Sequence, residues 1–413
     1  MLLSLLFILA TYLNIISGVS DIVDVSELER RPDIKYHLYD PHLFSAYSEC
    51  LPVLQRPCYA GHSIIHNLDI LFLESLISLN RSVPMDEAKI FIIPVFYNEI
   101  DSKAGACQQD VVRHVSQMYE IITSLGYYKP NLRNHFLMAD HFASGLKFSK
   151  EMKYERFLMA FNLIVGKFEQ PAISPAYSDT KDIDASQFLP VGYATRNAVL
   201  RYCPSHMHHE KPPKSILHRK YTFTFTGGDI PFDYKPDTYF YRHVLLNYTR
   251  ELNSSSSSSS LPNDVFINIY QKWVWVSEAN PRISSIEFIR NTLLVLHLSG
   301  DSFTTDRIWN AFEHLTLIGA LETEKNGLLP QLPFPKRVPW EDIIVWIDTE
   351  AFLKNPVEAV RSTALRMSDE EKERRVDLMR KHQRDVLWAR NDSVVVFNVL
   401  EEAQLLVKTL KYF

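Results

Sequence analysis

Short apolar runs alternate with amphipathic stretches over most of this 413-residue chain. In the first half, runs at 34–39, 88–94 and 134–141 have the length and composition of strands, whereas 67–79 and 110–125 have helical spacing. Strands that alternate with helices build βαβ units and parallel sheets. The first half is therefore predicted to be an α/β domain.

The same alternation returns in the second half of the chain. It begins with a strict alternation of aromatic residues and threonines at 221–226, which is typical of a strand. The other predicted elements are strands at 264–269, 292–298 and 340–346, a helix at 239–251, and a long charged helix from the capping box at Ser368 to about residue 390. The sequence thus predicts two Rossmann-like halves.

The two halves are separated by a segment, 203–216, that holds three prolines and lacks apolar periodicity. Its histidines, His206, His208 and His209, favour a solvated turn over a metal site because no regular scaffold holds them. The predicted divisions are a signal peptide or signal anchor at 1–20, an N-terminal domain at 21–202, a linker at 203–216, a C-terminal domain at 217–395 with a serine-rich insertion at 253–260, and a tail helix at 396–413.

The first nineteen residues carry no charged side chain and are dominated by Leu, Ile and Phe. Their length permits either a cleaved signal peptide or a single membrane anchor, and the sequence leaves both open. Acidic residues from Asp21 onward favour a lumenal location for the rest of the chain. We therefore expect the protein in the secretory pathway, either anchored in the Golgi lumen or secreted.

Glycosylation motifs and cysteines agree with this compartment. The Asn-x-Ser/Thr motifs lie at Asn80, Asn247, Asn253 and Asn391. The chain has four cysteines, an even number that suits an oxidising compartment, and Cys50 with Cys58 is the first candidate for a disulfide. No histidine lies at a regular zinc spacing from two cysteines, so no metal site is predicted.

The charge of the chain limits its partners. The formal net charge is −5 and the pI is near 6.3. Such a chain has no general positive potential, which argues against a nucleic-acid partner and against membrane contact outside the N-terminal segment. Any anion site must be local.

The segment from Gly300 to Phe312 reads as a strand end, a tight polar loop and a helix start in immediate succession. Either Thr304 or Thr305 can cap this helix, and Arg307 lies in its first turn. Backbone N–H groups and the positive end of the helix dipole would then face the loop. The loop itself contains Gly300 and Asp301 and predicts a diphosphate site.

A second group of residues is predicted to contribute to the same site. Gly227 and Gly228 follow the aromatic strand, where glycines allow a backbone to approach a ligand closely, and Arg242 lies near the start of the next helix. The alternative is that Arg242 and Arg307 are surface partners of nearby acids. The sequence leaves both interpretations open.

Asp140 and His141 end a predicted strand in the first half. Open α/β sheets bind ligands at the carboxyl ends of their strands, so one of these side chains could be a general base. Alternatively, they cap the following turn. Asp182 and Asp184 match a metal-binding Asp-x-Asp pattern, but no apolar strand precedes them, which favours a chance match.

Several of these segments, spread over roughly 34–385, resemble the exostosin-like glycosyltransferases in order and spacing. The similar segments are 34–40, 88–97, 134–141, 219–228 with Arg242 and Leu245, 300–311 with its Gly-Asp and Arg307, and 332–340 with Leu-Pro-Phe and tryptophan. Where that family usually has a Gly-Cys-Ile-Pro-Val strand, this chain has 315–321, which lacks the proline. The resemblance is therefore to a divergent member.

The resemblance implies a GT-B-like fold, in which two Rossmann-like domains face a cleft. It implies an inverting hexosyl- or pentosyltransferase that needs no metal cofactor and takes a nucleotide-sugar donor, a UDP-sugar by expectation, in its second domain. A glycan or glycoprotein acceptor would bind the first domain, and oligomerisation is left open. The alternative is a noncatalytic, glycan-binding or partner-stabilising protein of the same fold. A hydrolase is disfavoured because no Gly-x-Ser-x-Gly or His-Glu-x-x-His motif is present.

Overall fold

The structure is a computed structural model. The described residues are 30–54, 68–96, 111–128, 132–139, 163–167, 188–192, 215–229, 236–254, 261–271, 287–300, 303–388, 390 and 392–410. They form two compact units. The first unit holds the described residues within 1–168, 182–207 and 384–413, and the second holds those within 208–383.

The first unit contains a five-stranded sheet in the order β1-β2-β3-β4-β5, and all of its strand pairs are parallel. The strands are β1 (Tyr36–Leu38), β2 (Ile90–Ile92), β3 (His135–Met138), β4 (Ile164–Lys167) and β5 (Phe188–Pro190), and the helices before the second unit are α1 (Ser45–Leu54), α2 (Leu68–Leu79) and α3 (Val111–Ser124). Buried side chains fill β2 and β3 throughout, as parallel strands covered on both faces require.

The second unit also contains a parallel five-stranded sheet, in the order β10-β9-β8-β6-β7. Its elements are β6 (Tyr221–Asp229), α4 (Pro236–Ser254), β7 (Val265–Gln271), β8 (Thr292–Leu296), α5 (Asp306–Glu313), β9 (Leu317–Leu321), α6 (Lys325–Leu328), α7 (Trp340–Ile343), β10 (Ile344–Ile347), α8 (Thr349–Lys354), α9 (Pro356–Arg366) and α10 (Asp369–Val386). Two parallel sheets with helices confirm the predicted α/β class.

The last helix, α11 (Val395–Leu410), belongs to the first unit although it follows the second unit in the chain. It packs against α2 and against the strands β2, β4 and β5. Phe397 and Leu400 are fully buried in this contact, and the Arg31 guanidinium donates to Asn398 Oδ1 at 2.8 Å. The sequence predicted a helix here but not its packing partner.

One predicted strand needs correction. Residues 340–346 were expected to form a strand, but Trp340–Ile343 is a helical turn and the strand begins at Ile344. Trp340 donates from Nε1 to the Pro333 carbonyl at 2.7 Å, and its ring packs edge to face on Trp309. This anchoring of the indole fixes the turn, whereas the apolar run alone does not separate a short helix from a strand.

Other predictions concern residues outside the described ranges, including the N-terminal segment 1–20, residues 203–214 of the predicted linker, and serines 255–260. The first residues of the predicted insertion, at 253 and 254, are the last two residues of α4. Within the described part of the chain, no helix has both the length and the apolar character needed to span a bilayer.

Candidate functional site

The second sheet changes direction between two neighbouring strands. From β6 the chain moves outward to β7, and then returns to the other side of β6 to form β8, β9 and β10. The carboxyl ends of β6 and β8 therefore flank a topological switch point, which is where open α/β sheets bind ligands. Pairing between these two strands ends at Thr224 and Val295. Beyond that level their backbones are joined by side chains.

Arg307 and Arg242 make these side-chain links. Arg307 lies in the first turn of α5 and donates from Nη1 to the Thr226 carbonyl at 2.6 Å and from Nη2 to the Leu298 carbonyl at 3.1 Å. Arg242, from α4, donates from Nε and Nη2 to the same Leu298 carbonyl at 3.3 and 3.0 Å. Two guanidinium groups therefore meet at one backbone oxygen at the switch point.

Both arginines are buried, with 8% of Arg242 and 9% of Arg307 exposed. The Phe225 ring lies near both guanidinium groups, with its centroid 5.0 Å from Arg307 Cζ and 5.9 Å from Arg242 Cζ. The centroid of the Tyr239 ring lies 4.9 Å from Arg242 Cζ. Aromatic faces attract guanidinium groups at these distances, so the rings hold the charges in place. The alternative, that the two arginines are surface ion pairs, does not fit this burial.

Two of the predicted glycines, Gly227 and Gly300, make room for neighbouring side chains. A Cβ at Gly300 would lie 2.2 Å from Arg242 Nη2, and a Cβ at Gly227 would lie 2.8 Å from the Phe225 ring. Their missing side chains therefore make room for the arginine and for the ring beneath it. Gly228 contributes its carbonyl, which accepts from Arg242 Nη1 at 3.5 Å. Asp301 lies outside the described residues.

Thr305 occupies the N-cap position of α5, but its side chain does not cap the helix. Its hydroxyl bonds to His297 Nδ1 at 3.1 Å, and His297 Nε2 lies 2.8 Å from the Phe303 carbonyl. Because a carbonyl only accepts, Nε2 carries the proton and Nδ1 accepts from Thr305. Burial, together with the charges of Arg307 and Arg242, lowers the pKa of His297 to about 3. This histidine is therefore neutral, and its two hydrogen bonds hold the loop before α5 in place. Thr304, the other residue predicted to cap the helix, is buried, with 1% of it exposed.

Glu324 is the acidic group of this site. It is 5% exposed, and its Oε1 accepts from the Ser299 backbone N–H at 3.0 Å. Burial raises the pKa of Glu324, whereas the Ser299 hydrogen bond and the charges of Arg242 and Arg307 oppose this rise. The carboxyl group is thus linked through one peptide unit to Leu298, the residue on which both arginines converge.

The arrangement places two positive charges at the carboxyl end of a sheet, which suits an anion. Neither Glu324 nor His297 was predicted from the sequence. Glu324 lies in the run Glu322-Thr323-Glu324-Lys325, which reads as a solvated charged turn, and nothing in the sequence marks its burial. A histidine at the end of an apolar run was a usable signal for His297. No group of three or more metal-ligating side chains occurs among the residues that the structure describes.

The structure describes only some of the other predicted residues. Asp140 and His141 lie outside the described residues, directly after β3, so their role as bases stays a prediction. Cys50 is disulfide-bonded, but Cys58 lies outside the described ranges and the proposed pairing is untested. Asn80 and Asn247 are exposed, Asn253 lies in the last turn of α4, and Asn391 is not among the described residues.

No protein-family model and no curated protein matches this chain. Among solved structures, it is similar to WaaG, a glycosyltransferase involved in lipopolysaccharide biosynthesis, at 10% identity and a TM-score of 0.32, over 72% of this chain and 84% of that one. It is also similar to a putative UDP-N-acetylglucosamine 2-epimerase from Listeria monocytogenes, at 10% identity and a TM-score of 0.31, over 82% and 92%. At such scores neither similarity bears on the function.

Proposed function

We propose that this protein is a glycosyltransferase that takes a nucleotide-sugar donor, a UDP-sugar in the first instance, and transfers the sugar to a glycan or glycoprotein acceptor. The observation that carries the proposal is the convergence of Arg242 and Arg307 on the Leu298 carbonyl at the switch point of the second sheet. The order and spacing of the segments that resemble exostosin-like glycosyltransferases support the same activity. An inverting reaction in the secretory pathway is part of this proposal.

The proposed chemistry follows from the charge that develops on the donor. When the bond between the sugar and the diphosphate breaks, negative charge accumulates on the leaving diphosphate. The positive charges of Arg242 and Arg307, whose guanidinium groups are held in place by backbone carbonyls, would stabilise this charge. Guanidinium groups can supply this stabilisation in place of a metal ion, and we propose that no metal cofactor is needed. Asp140 or His141 would remove the proton from the acceptor hydroxyl.

A noncatalytic protein of the same fold is the competing function. One reason to consider it was the unusual segment 315–321, where the exostosin-like pattern is lost. In the structure Leu317–Leu321 is a regular, fully buried strand paired with β8 and β10. The segment therefore gives no reason to expect a damaged donor domain, and a turnover measurement separates the two functions.

The test combines nucleotide binding with turnover. The folded protein is titrated with UDP, GDP, ADP and CMP, and then incubated with the matching nucleotide sugars and an acceptor array. We expect one nucleoside diphosphate to bind and its sugar to be transferred or hydrolysed. Binding without turnover of any sugar would favour the noncatalytic protein, and absence of binding to every nucleotide would overturn the proposal.

Arginine-to-lysine variants test the residues that carry the proposal. Arg307→Lys and Arg242→Lys keep the charge but lose the planar fork that bonds two carbonyls, so we expect about tenfold or greater weakening of nucleotide binding. Arg380→Lys, on the exposed face of α10, is the matched control and should bind as the wild type does. Equal affinity in all four proteins would contradict the assignment of the two arginines.

A further inference from the structure

A buried carboxyl group is an unexpected component of a site for anions. Glu324 lies in the one-turn helix Glu322–Glu324 that follows β9, and 5% of it is exposed. Its Oε1 accepts from Ser299 N–H, and its Oε2 has no hydrogen-bond partner among the described residues. A permanently charged carboxylate in this position would repel a bound phosphate group. If Glu324 had only a structural role, its charge would therefore weaken anion binding at the site.

We propose that Glu324 is a proton-exchanging positioning residue, which balances the two arginines while the site is empty and takes up one proton when a nucleoside diphosphate binds to them. This inference rests on the proposed function, because it requires a diphosphate at Arg242 and Arg307. The proton comes from solvent and adds to one carboxylate oxygen, so that the carboxyl group becomes neutral. No other bond forms or breaks.

The charges around Glu324 give the reason for this exchange. The positive charges of Arg242, on α4, and of Arg307, in the first turn of α5, both favour its ionised form. His297, at the end of β8, is neutral and does not offset them. A bound diphosphate engages the guanidinium groups and brings further negative charge close to the carboxylate. Both changes favour the protonated carboxyl group.

Burial already acts in the same direction. It raises the pKa of Glu324 in the empty site, and the arginines and the Ser299 hydrogen bond only partly oppose it. The pKa of the carboxyl group therefore starts above its usual range and rises again when the diphosphate binds. Net proton uptake is expected at any pH between these two values, and nucleotide affinity should fall as the pH rises through this window.

Local hydrogen bonding can accommodate the added proton. Oε1 can continue to accept from Ser299 N–H while Oε2 becomes a donor. The Ser299 hydroxyl is also buried and interacts with the carboxyl group, so its oxygen is a candidate acceptor for this proton. The loop that carries Leu298 and Gly300 would then keep its position in both protonation states.

Isothermal titration calorimetry can measure the exchange directly. UDP-glucose is the first probe, because each of its two phosphates carries one ester and one anhydride linkage and does not titrate near neutral pH. UDP is the second probe, with a correction for its own terminal phosphate. Titrations in buffers of different ionisation enthalpy give the number of protons taken up. We expect a value between zero and one for the wild type, and a value near zero for Glu324→Gln.

The pH dependence provides a readout that a structural defect would not produce. Glu324→Gln resembles the protonated carboxyl group, so its UDP-glucose affinity should not change with pH in the window, and above the window it should exceed that of the wild type by several-fold. Glu322→Gln, in the same turn but exposed, is the matched control and should keep the wild-type dependence. If Glu324→Gln does not fold, absence of proton uptake by the wild-type protein still overturns the role of Glu324.

The possible outcomes separate this inference from the function on which it rests. If wild-type protein binds no nucleotide, the proposed function fails. If it binds UDP or UDP-glucose without proton uptake, the role of Glu324 is overturned while the donor site stands. Uptake that persists unchanged in Glu324→Gln would also overturn it, because another group would then be the proton acceptor.

Discussion

At the scale of single residues, the Leu298 carbonyl defines the candidate site. It lies just beyond the end of β8 and accepts hydrogen bonds from arginines that are far apart in the sequence. Side chains in the first turn of a helix point toward its N-terminus, which explains why Arg307 reaches back to the ends of β6 and β8. The sequence predicted an anion-facing Arg307, but it could not show that Arg242 shares the same oxygen.

Gly300 should be required for binding rather than for folding. The three heavy atoms nearest to a Cβ at this position all belong to the guanidinium end of Arg242, so the substitution displaces this side chain rather than the backbone. Gly300→Ala should therefore weaken UDP binding about tenfold, through loss of charge-assisted hydrogen bonds, while the melting temperature changes by a few degrees at most. Calorimetric titration measures the UDP affinity, and thermal unfolding of the same preparation measures the melting temperature. Unchanged UDP affinity would contradict the close packing of Gly300 on Arg242.

Buried neutral histidines should make the protein sensitive to acid. Burial lowers the pKa of His135, His297 and His314 to about 3, whereas an unfolded chain titrates near pH 6.5. Below about pH 6.5 the unfolded chain therefore binds protons that the folded protein does not bind. The free energy of unfolding should fall as the pH decreases from about 6.5 toward 3.

His135→Gln tests this acid sensitivity at one site. His135 accepts from the Tyr39 hydroxyl at 2.9 Å and donates to Asn134 Oδ1 at 2.8 Å, and glutamine can keep one donor and one acceptor. We expect a loss of about 1–3 kcal/mol at neutral pH but a shallower decline toward acid pH. Urea unfolding between pH 7 and pH 4 measures how the free energy of unfolding changes with pH. His218 is exposed, so His218→Gln is the control. A decline as steep as that of the wild type would contradict the prediction.

At the scale of elements, the opposite end of the second sheet is held by Arg219. Its guanidinium donates to the carbonyls of Ile289, Thr292, His314 and Leu315 and to the Thr316 hydroxyl. These partners lie at the amino ends of β8 and β9. Arg219 was part of the segment that resembles exostosin-like enzymes, but it precedes β6 and lies at the opposite end of that strand from Gly227.

Arg219→Met should therefore affect stability and not ligand binding. The variant leaves several part-buried carbonyls without their donor, so we expect the free energy of unfolding to fall by about 2–4 kcal/mol. Lys220→Met, at the adjacent exposed position, should change it by less than about 0.5 kcal/mol. Chemical unfolding gives these values, and UDP titration of the folded variant should give wild-type affinity. A selective loss of UDP binding would contradict this prediction and would show that Arg219 contributes to the candidate site.

Strands were predicted where an apolar run in the sequence marked them and were missed where no such run was recognised. β1, β2 and β3 and the strands β6 to β8 were predicted within a few residues. β4 and β5 were not, because β4 contains Gly166 and ends at Lys167, while β5 is three residues long and ends in a proline at the sheet edge. These two segments form strands because of tertiary contacts, and their local sequence pattern does not reveal those contacts.

At the scale of the whole molecule, the chain returns to its first unit after completing its second. The pattern of α11 shows which face of the helix is apolar, but it does not show which surface that face covers. In the structure the face covers β2, β4, β5 and α2. The C-terminal helix is therefore part of the core of the first unit, and its removal would expose one side of that sheet.

Phe397 should be among the most sensitive positions of α11. It is fully buried, and Phe397→Ala should lower the free energy of unfolding by about 3–5 kcal/mol through lost apolar contact and a residual cavity. Leu405, on the same helix but 37% exposed, is the control, and Leu405→Ala should cost much less. Chemical unfolding of both variants measures the difference. Equal, small effects would show that α11 does not belong to the core.

The proposed function depends on where a nucleoside diphosphate binds, and a crystal structure of the protein with UDP would reveal this position. We predict phosphate oxygens at hydrogen-bonding distance, about 2.7–2.9 Å, from the guanidinium groups of Arg242 and Arg307 at the carboxyl ends of β6 and β8. UDP bound elsewhere, with both arginines still directed only to the Leu298, Thr226 and Gly228 carbonyls, would contradict the central claim.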